Sequence, residues 1–247
     1  MTKNTHLQAI LPIRKGIKLI KFCYFLSIIL CFNCADSKQS KSTEETAVSE
    51  STEEANTEEI NNNKTILCFG DSITAGYGLD DTSEAYPALL QQKIDSLDLN
   101  YTVINSGLSG ETSAGGLSRI DWVMQQDIDI FLLELGGNDG LRGIPLTETK
   151  NNLEQIIEKV RTKNPETEII LAGMELPPNM GQDYTSEFRA VFADIAKTQD
   201  VKFIPFILKD VGGIKELNQS DGIHPTAEGH EIVAQTVWQT LKPMINQ

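Results

Sequence analysis

From Thr65 onward the chain alternates short apolar runs with helical stripes, and that alternation restricts the fold more than any other feature. Thr65, Ile66, Leu67, Cys68 and Phe69 form a run of β-favouring side chains that reads as a buried strand. Residues 101–105, 128–135, 168–172 and 201–205 repeat the pattern, and the run at 128–135 is apolar enough to be central. Helical patterns fall between and after these runs, over residues 84–97, 112–125, 147–163, 184–198 and 226–242. In the third helix Leu153, Ile156, Ile157 and Val160 make one apolar stripe, and Pro165 lies beyond its end as a stop signal. Strands that alternate with helices are joined by crossovers, so they run parallel and the helices cover both faces of the sheet. The expectation is one domain over residues 65–247, a three-layer α/β/α, flavodoxin-like unit with a five-stranded parallel sheet.

The first 64 residues do not follow this pattern. Lys3, Arg14, Lys15, Lys18 and Lys21 precede an 11-residue apolar run at 22–32. A charged region followed by such a run is the pattern of a secretory signal, and it falls short of the ~20 residues a membrane-spanning helix needs. Cys34 follows directly and precedes a polar segment, as the lipid-modified cysteine of bacterial lipoproteins does; Cys31 is the competing attachment point. The expectation is a signal of lipoprotein type over 1–34 and export to the periplasm or outer membrane, with secretion of a soluble domain as the alternative. Residues 35–64, dominated by Ser, Thr, Glu and Asn, cannot bury enough surface to offset their ordering entropy and read as a disordered acidic tether.

The five basic residues of the leader offset the net five negative charges of the tether, so residues 65–247 carry the whole net charge of −14. Nucleic acid is excluded as a partner on that ground, since phosphate binding is driven by Lys and Arg. Cys68 is the one cysteine of the domain and sits inside the first strand, so no disulfide framework exists and it reads as a small buried hydrophobe. A monomer is expected.

Chemistry-bearing residues gather where strands end. Gly70, Asp71, Ser72, Ile73, Thr74, Ala75, Gly76, Tyr77 and Gly78 follow the first strand directly, and the glycines permit a tight strand-to-helix turn. Ser72 there points into the crevice where open α/β sheets bind ligands, at the carboxyl ends of their strands. The loops at 136–146, 173–183 and 207–225 follow later strands and converge on the same edge.

A serine hydroxyl needs a base, and His224 is the best placed. Asp221, three residues earlier in a tight loop closed by Pro225, can hold the other imidazole N–H and fix the tautomer. His230 reads as a surface or packing residue. Gly110, in the loop after the second strand, can present its backbone N–H to an oxyanion. Asn138, in Gly136-Gly137-Asn138-Asp139, can donate a side-chain amide, and the Ser72 N–H at a helix start completes the set. No metal site is expected, since no further His or Cys cluster accompanies these residues.

Together these segments resemble the SGNH hydrolases, also called the GDSL family, and most closely the bacterial thioesterase I, lysophospholipase L1 and arylesterase branch. The resemblance runs through residues 70–78, 85–90, 105–113, 134–143, 174–179 and 221–225, in the family's order. It implies Ser72 as nucleophile, Asp221 and His224 as its triad partners, and Ser72, Gly110 and Asn138 as the oxyanion hole. It implies a serine esterase acting on aryl esters, lysophospholipids or acyl thioesters without a cofactor. A carbohydrate deacetylase of the same fold, and a surface lipoprotein that binds a ligand without turnover, are the alternatives.

Overall fold

The computed structural model describes residues 63–245. The expected leader at 1–34, with Cys31 and Cys34, and almost all of the tether expected at 35–64 lie outside the described residues. Five strands form one parallel sheet: β1 (Lys64–Gly70), β2 (Tyr101–Gly107), β3 (Ile130–Glu134), β4 (Glu168–Ala172) and β5 (Lys202–Ile204). Their order is β2-β1-β3-β4-β5. The chain steps outward from β1 to β2, then returns past β1 to begin β3 on its other side. That reversal opens a crevice at the carboxyl ends of β1 and β3, the topological switch point of a doubly wound sheet. In register, Gly70 at the end of β1 lies between Gly107 of β2 and Glu134 of β3.

Among the described residues seven α-helices connect and flank these strands: α1 (Ser72–Ala75), α2 (Tyr86–Asp95), α3 (Ser113–Val123), α4 (Gly137–Leu141), α5 (Leu146–Lys163), α6 (Gln182–Thr198) and α7 (Ala227–Ile245). α5 packs between α3 and α6, while α2 packs with α7. β3 is buried along its whole length, as its apolar sequence requires of a central strand. The stripe Leu153, Ile156, Ile157 and Val160 is wholly buried. Burying such a side chain stabilises by about 1.5–3 kcal/mol, so this one face outweighs the modest intrinsic propensity of α5.

Two expectations change in detail. The segment at 136–146 is not one long loop, because residues 137–141 form the short helix α4. Glycine content hides it from propensity; the helix forms because Gly136, at φ 110°, turns the chain sharply at the end of β3. The final helix also runs past Pro243 to Ile245, burying Met244 and Ile245.

Candidate active site

The turn after β1 is built from both sides. Asp71 caps α1, its side chain accepting the Ile73 N–H at 3.0 Å. Ser72 is therefore the first helical residue, held at the switch-point crevice. Gly70 is obligatory at this approach: a Cβ there would stand 2.1 Å from Thr74 Oγ1 and 2.4 Å from Glu134 Oε2.

His224 reaches this serine from the loop between β5 and α7. Its Nε2 lies 2.9 Å from Ser72 Oγ and its Nδ1 lies 2.6 Å from Asp221 Oδ2. With the Nδ1 proton donated to Asp221, the Nε2 lone pair faces the serine hydroxyl. Asp221 Oδ1 accepts the backbone N–H groups of Ile223 and His224 at 2.9 and 3.1 Å, so the carboxylate orients its own loop. Partial burial raises the Asp221 pKa, but the bonds from the His224 ring and these two amides outweigh it and bring it down to about 2. Asp221 is thus ionised at any physiological pH. Gln219 ties the loop to the serine turn, donating to the carbonyls of Tyr77 and Pro225 at 2.7 and 3.0 Å. The Tyr77 ring packs against His224 with centroids 4.7 Å apart.

The residues expected to hold an oxyanion are cross-tied. Asn138, in α4, donates Nδ2 to Asp71 Oδ2 at 3.0 Å, which leaves its second amide hydrogen for the crevice. Arg142 donates to the Gly110 carbonyl at 2.8 Å and reaches Asn138 Oδ1 at 3.4 Å. Gly110 sits at φ 78°. Asp139 accepts from the N–H and hydroxyl of Ser113 at 2.8 and 2.5 Å, which joins the loop after β2 to α4. Arg119 in turn grips Glu111 through two nitrogens and Ser106 through two more bonds, over the face of Phe69.

One acidic residue here escapes sequence reasoning, and so does a contact of a second. Glu134 closes β3, is fully buried, and accepts the Asp71 N–H at 3.2 Å and the Thr74 hydroxyl at 2.7 Å on one oxygen, Oε2. Burial and the neighbouring Asp71 hold its carboxyl well above the ordinary range. Burial raises Asp71 to about 6, against bonds from Ile73 and Asn138 that favour its ionised form. In sequence Glu134 is only the last polar residue of an apolar strand, and its partner lies 63 positions away. Asp71 is visible as part of the serine turn, but its link to Asn138 is not.

A cavity of about 420 Å³ opens from Ser72, His224 and Asn138. Ile73, Met174, Leu176, Pro177, Phe206 and Leu208 supply its apolar wall. Residues 174–178 belong to the loop expected at 173–183 and Leu208 to the loop expected at 207–225, while Phe206 is an addition from just beyond β5. His230 lies away from this cavity: it is buried and its Nδ1 accepts the Tyr86 N–H at 3.3 Å, a packing role. Among the described residues no group of three or more His, Cys, Asp or Glu is placed to hold a metal ion.

A serine bonded to an imidazole that is bonded to a carboxylate, at the switch point of a parallel sheet beside an apolar cavity, defines a serine hydrolase of the α/β/α class. The comparisons with known proteins agree. Residues 68–232 match the GDSL-like Lipase/Acylhydrolase family, and the chain belongs to that family. It is 39% identical over 183 residues to the esterase TesA of Pseudomonas aeruginosa, covering 74% of this chain and 90% of that one. It is 38% identical to the thioesterase 1/protease 1/lysophospholipase L1 of Escherichia coli K12, covering 74% and 85%. The crystal structure of the esterase EstA from Pseudoalteromonas sp., inhibited by monoethylphosphonate, superposes with a TM-score of 0.69 at 32% identity, over 74% of this chain and all of that one. The chain is a serine esterase.

Proposed function

We propose that this esterase works through an acyl-Ser72 intermediate on esters or thioesters of apolar acyl chains. The observation that carries the reading is the continuous relay from Ser72 Oγ through His224 to Asp221, at 2.9 and 2.6 Å. Ser72 Oγ attacks the carbonyl carbon as its proton passes to His224 Nε2. The carbonyl electrons move to oxygen, which the N–H groups of Ser72 and Gly110 and the Asn138 amide stabilise. Collapse breaks the bond to the alcohol or thiol, which leaves with the proton from His224. Water then gives its proton to His224 and its oxygen to the acyl carbon, and Ser72 regains its hydrogen as the acid departs.

The apolar wall favours acyl chains over sugars, so aryl esters, lysophospholipids and acyl thioesters are the proposed substrates. The basic leader with its 22–32 apolar run supports export, and Cys34 supports a lipid-anchored protein that is periplasmic or associated with the outer membrane, the domain acting as a monomer. The deciding experiment replaces Ser72 with Ala and follows both ester turnover and fluorophosphonate labelling. Both should vanish; a variant that still turned over ester would refute the nucleophile. A series of p-nitrophenyl esters from acetyl to long acyl would then define the chain length.

A further inference from the structure

Among the described residues seven large apolar side chains are exposed, and their distribution is uneven. Tyr77, Leu108, Leu141, Ile214 and Ile223, each 40–54 % exposed, all stand at the carboxyl edge of the sheet. Tyr77 packs on His224, and Leu141 and Ile223 line the cavity mouth. Leu108 is two residues before Gly110, and Ile214 follows Gly212 and Gly213 of the cavity lining. The other two, Leu97 and Trp122, follow or close helices that run back from that edge, and so stand at the opposite one. Scattered exposed apolar residues need no explanation, but a ring contributed by separate loops around one opening does.

We propose that this ring docks the active-site edge on a zwitterionic lipid surface, from which the cavity takes its acyl ester directly. The proposal rests on the esterase reading of the cavity, whose lining includes Leu141 and Ile223 of the ring. The domain's net charge of −14 disfavours an anionic surface, which selects phosphatidylcholine-like lipid. Chain length bears on the same point. β1 starts at Lys64, at the amino edge, so a short link to a membrane would turn the cavity away from it. Half the circumference of a domain this size is roughly 60 Å. The residues from 35 to 64 can extend to on the order of 100 Å, enough to let the opposite edge face the membrane that holds the leader.

The test uses the full chain, with the leader common to every variant. Hydrolysis of p-nitrophenyl decanoate dissolved in phosphatidylcholine vesicles is compared with hydrolysis of p-nitrophenyl butyrate in water. Leu108→Glu/Ile214→Glu should lose about tenfold on vesicles and keep its rate on the soluble ester. Leu97→Glu/Trp122→Glu should keep both. Equal vesicle rates for wild type and the first variant, or an equal loss in the second, would overturn the docking. If the first variant is also slow in water, Leu108→Ser/Ile214→Ser replaces it and is read the same way. Sedimentation of the wild type as a dimer that the first variant dissolves, with no vesicle effect, would assign the ring to a second copy and overturn the lipid proposal. Absent fluorophosphonate labelling of Ser72 would instead mark failure of the esterase reading itself.

Discussion

Asp71 Oδ2 accepts the Asn138 side-chain amide at 3.0 Å, so the residue before the nucleophile holds a donor of the proposed oxyanion hole. One short turn thus sets two parts of the site, because the Asp71 Oδ1 atom also caps the helix that begins at Ser72. Removing one oxyanion donor costs ~10²–10³ in turnover, and Asn138→Ala should fall in that range. Asp71→Ala should lower kcat by roughly 10–10² through misplacement of the amide, with a smaller change in KM. The double variant Asp71→Ala/Asn138→Ala should be slower than Asn138→Ala by less than the factor Asp71→Ala costs alone, the remaining loss being the missing cap at Ser72. Full additivity in steady-state kinetics would show that Asp71 acts by another route.

Glu134 gives a stability prediction whose sign is unusual for a carboxylate. Its folded pKa is raised above the ordinary 4.5 by burial and by Asp71. The unfolded chain releases this proton near pH 4.5 and the folded chain holds it to higher pH, so above pH 4.5 stability falls as pH rises, by up to about 1.4 kcal/mol per pH unit. Glu134→Gln retains an acceptor for the Asp71 N–H and the Thr74 hydroxyl and abolishes the titration. The difference in Tm between variant and wild type should therefore move in favour of Gln from pH 4.5 to pH 8. A difference that stays constant over that range would show that Glu134 ionises as readily folded as unfolded.

Gly110 combines positive φ with open space, since a Cβ there would meet nothing nearer than Arg142 Nη2 at 3.6 Å. Gly110→Ala should therefore cost only the left-handed backbone penalty of about 1–2 kcal/mol, without a packing clash. Thermal unfolding should shift by several degrees while the cavity residues stay in place. A much larger loss would mean that the loop cannot hold an L side chain even with room for it.

The parts of this site legible in sequence are those carried by local spacing. Ser72 is announced by a strand running into a glycine-rich turn, and Asp221 and His224 by three-residue proximity in one loop. The five strands were legible because apolar runs flank helical stripes such as Leu153 to Val160. What sequence hides is pairing across the sheet. Glu134 meets Asp71, and Asp139 meets Ser113, only because β1, β2 and β3 end side by side. Short α4 is hidden for another reason: backbone geometry after Gly136, rather than helix propensity, makes it. Phe206 reaches the cavity from just beyond β5, ahead of the loop expected at 207–225, a contribution with no periodic signal.

His230 works in the direction opposite to Glu134. Burial, with a smaller contribution from His224, lowers its pKa from 6.5 to about 4. As pH falls through 6.5 the unfolded chain takes up a proton that the folded chain refuses until about pH 4. The unfolded state therefore binds more protons in that window, and stability drops with falling pH, by on the order of 3 kcal/mol at most. Protonation would force a charge into the contact between α7 and α2, where Nδ1 already accepts the Tyr86 N–H and Nε2 is buried. His230→Asn keeps an oxygen that can accept from Tyr86, yet cannot titrate. Its unfolding free energy should be lower than wild type at pH 7, because the smaller side chain leaves a cavity. Between pH 6.5 and 4 the gap should close as the wild type alone pays for excluding the proton. Chemical denaturation across that range measures it, and parallel pH profiles for the two proteins would show that His230 titrates normally in the fold.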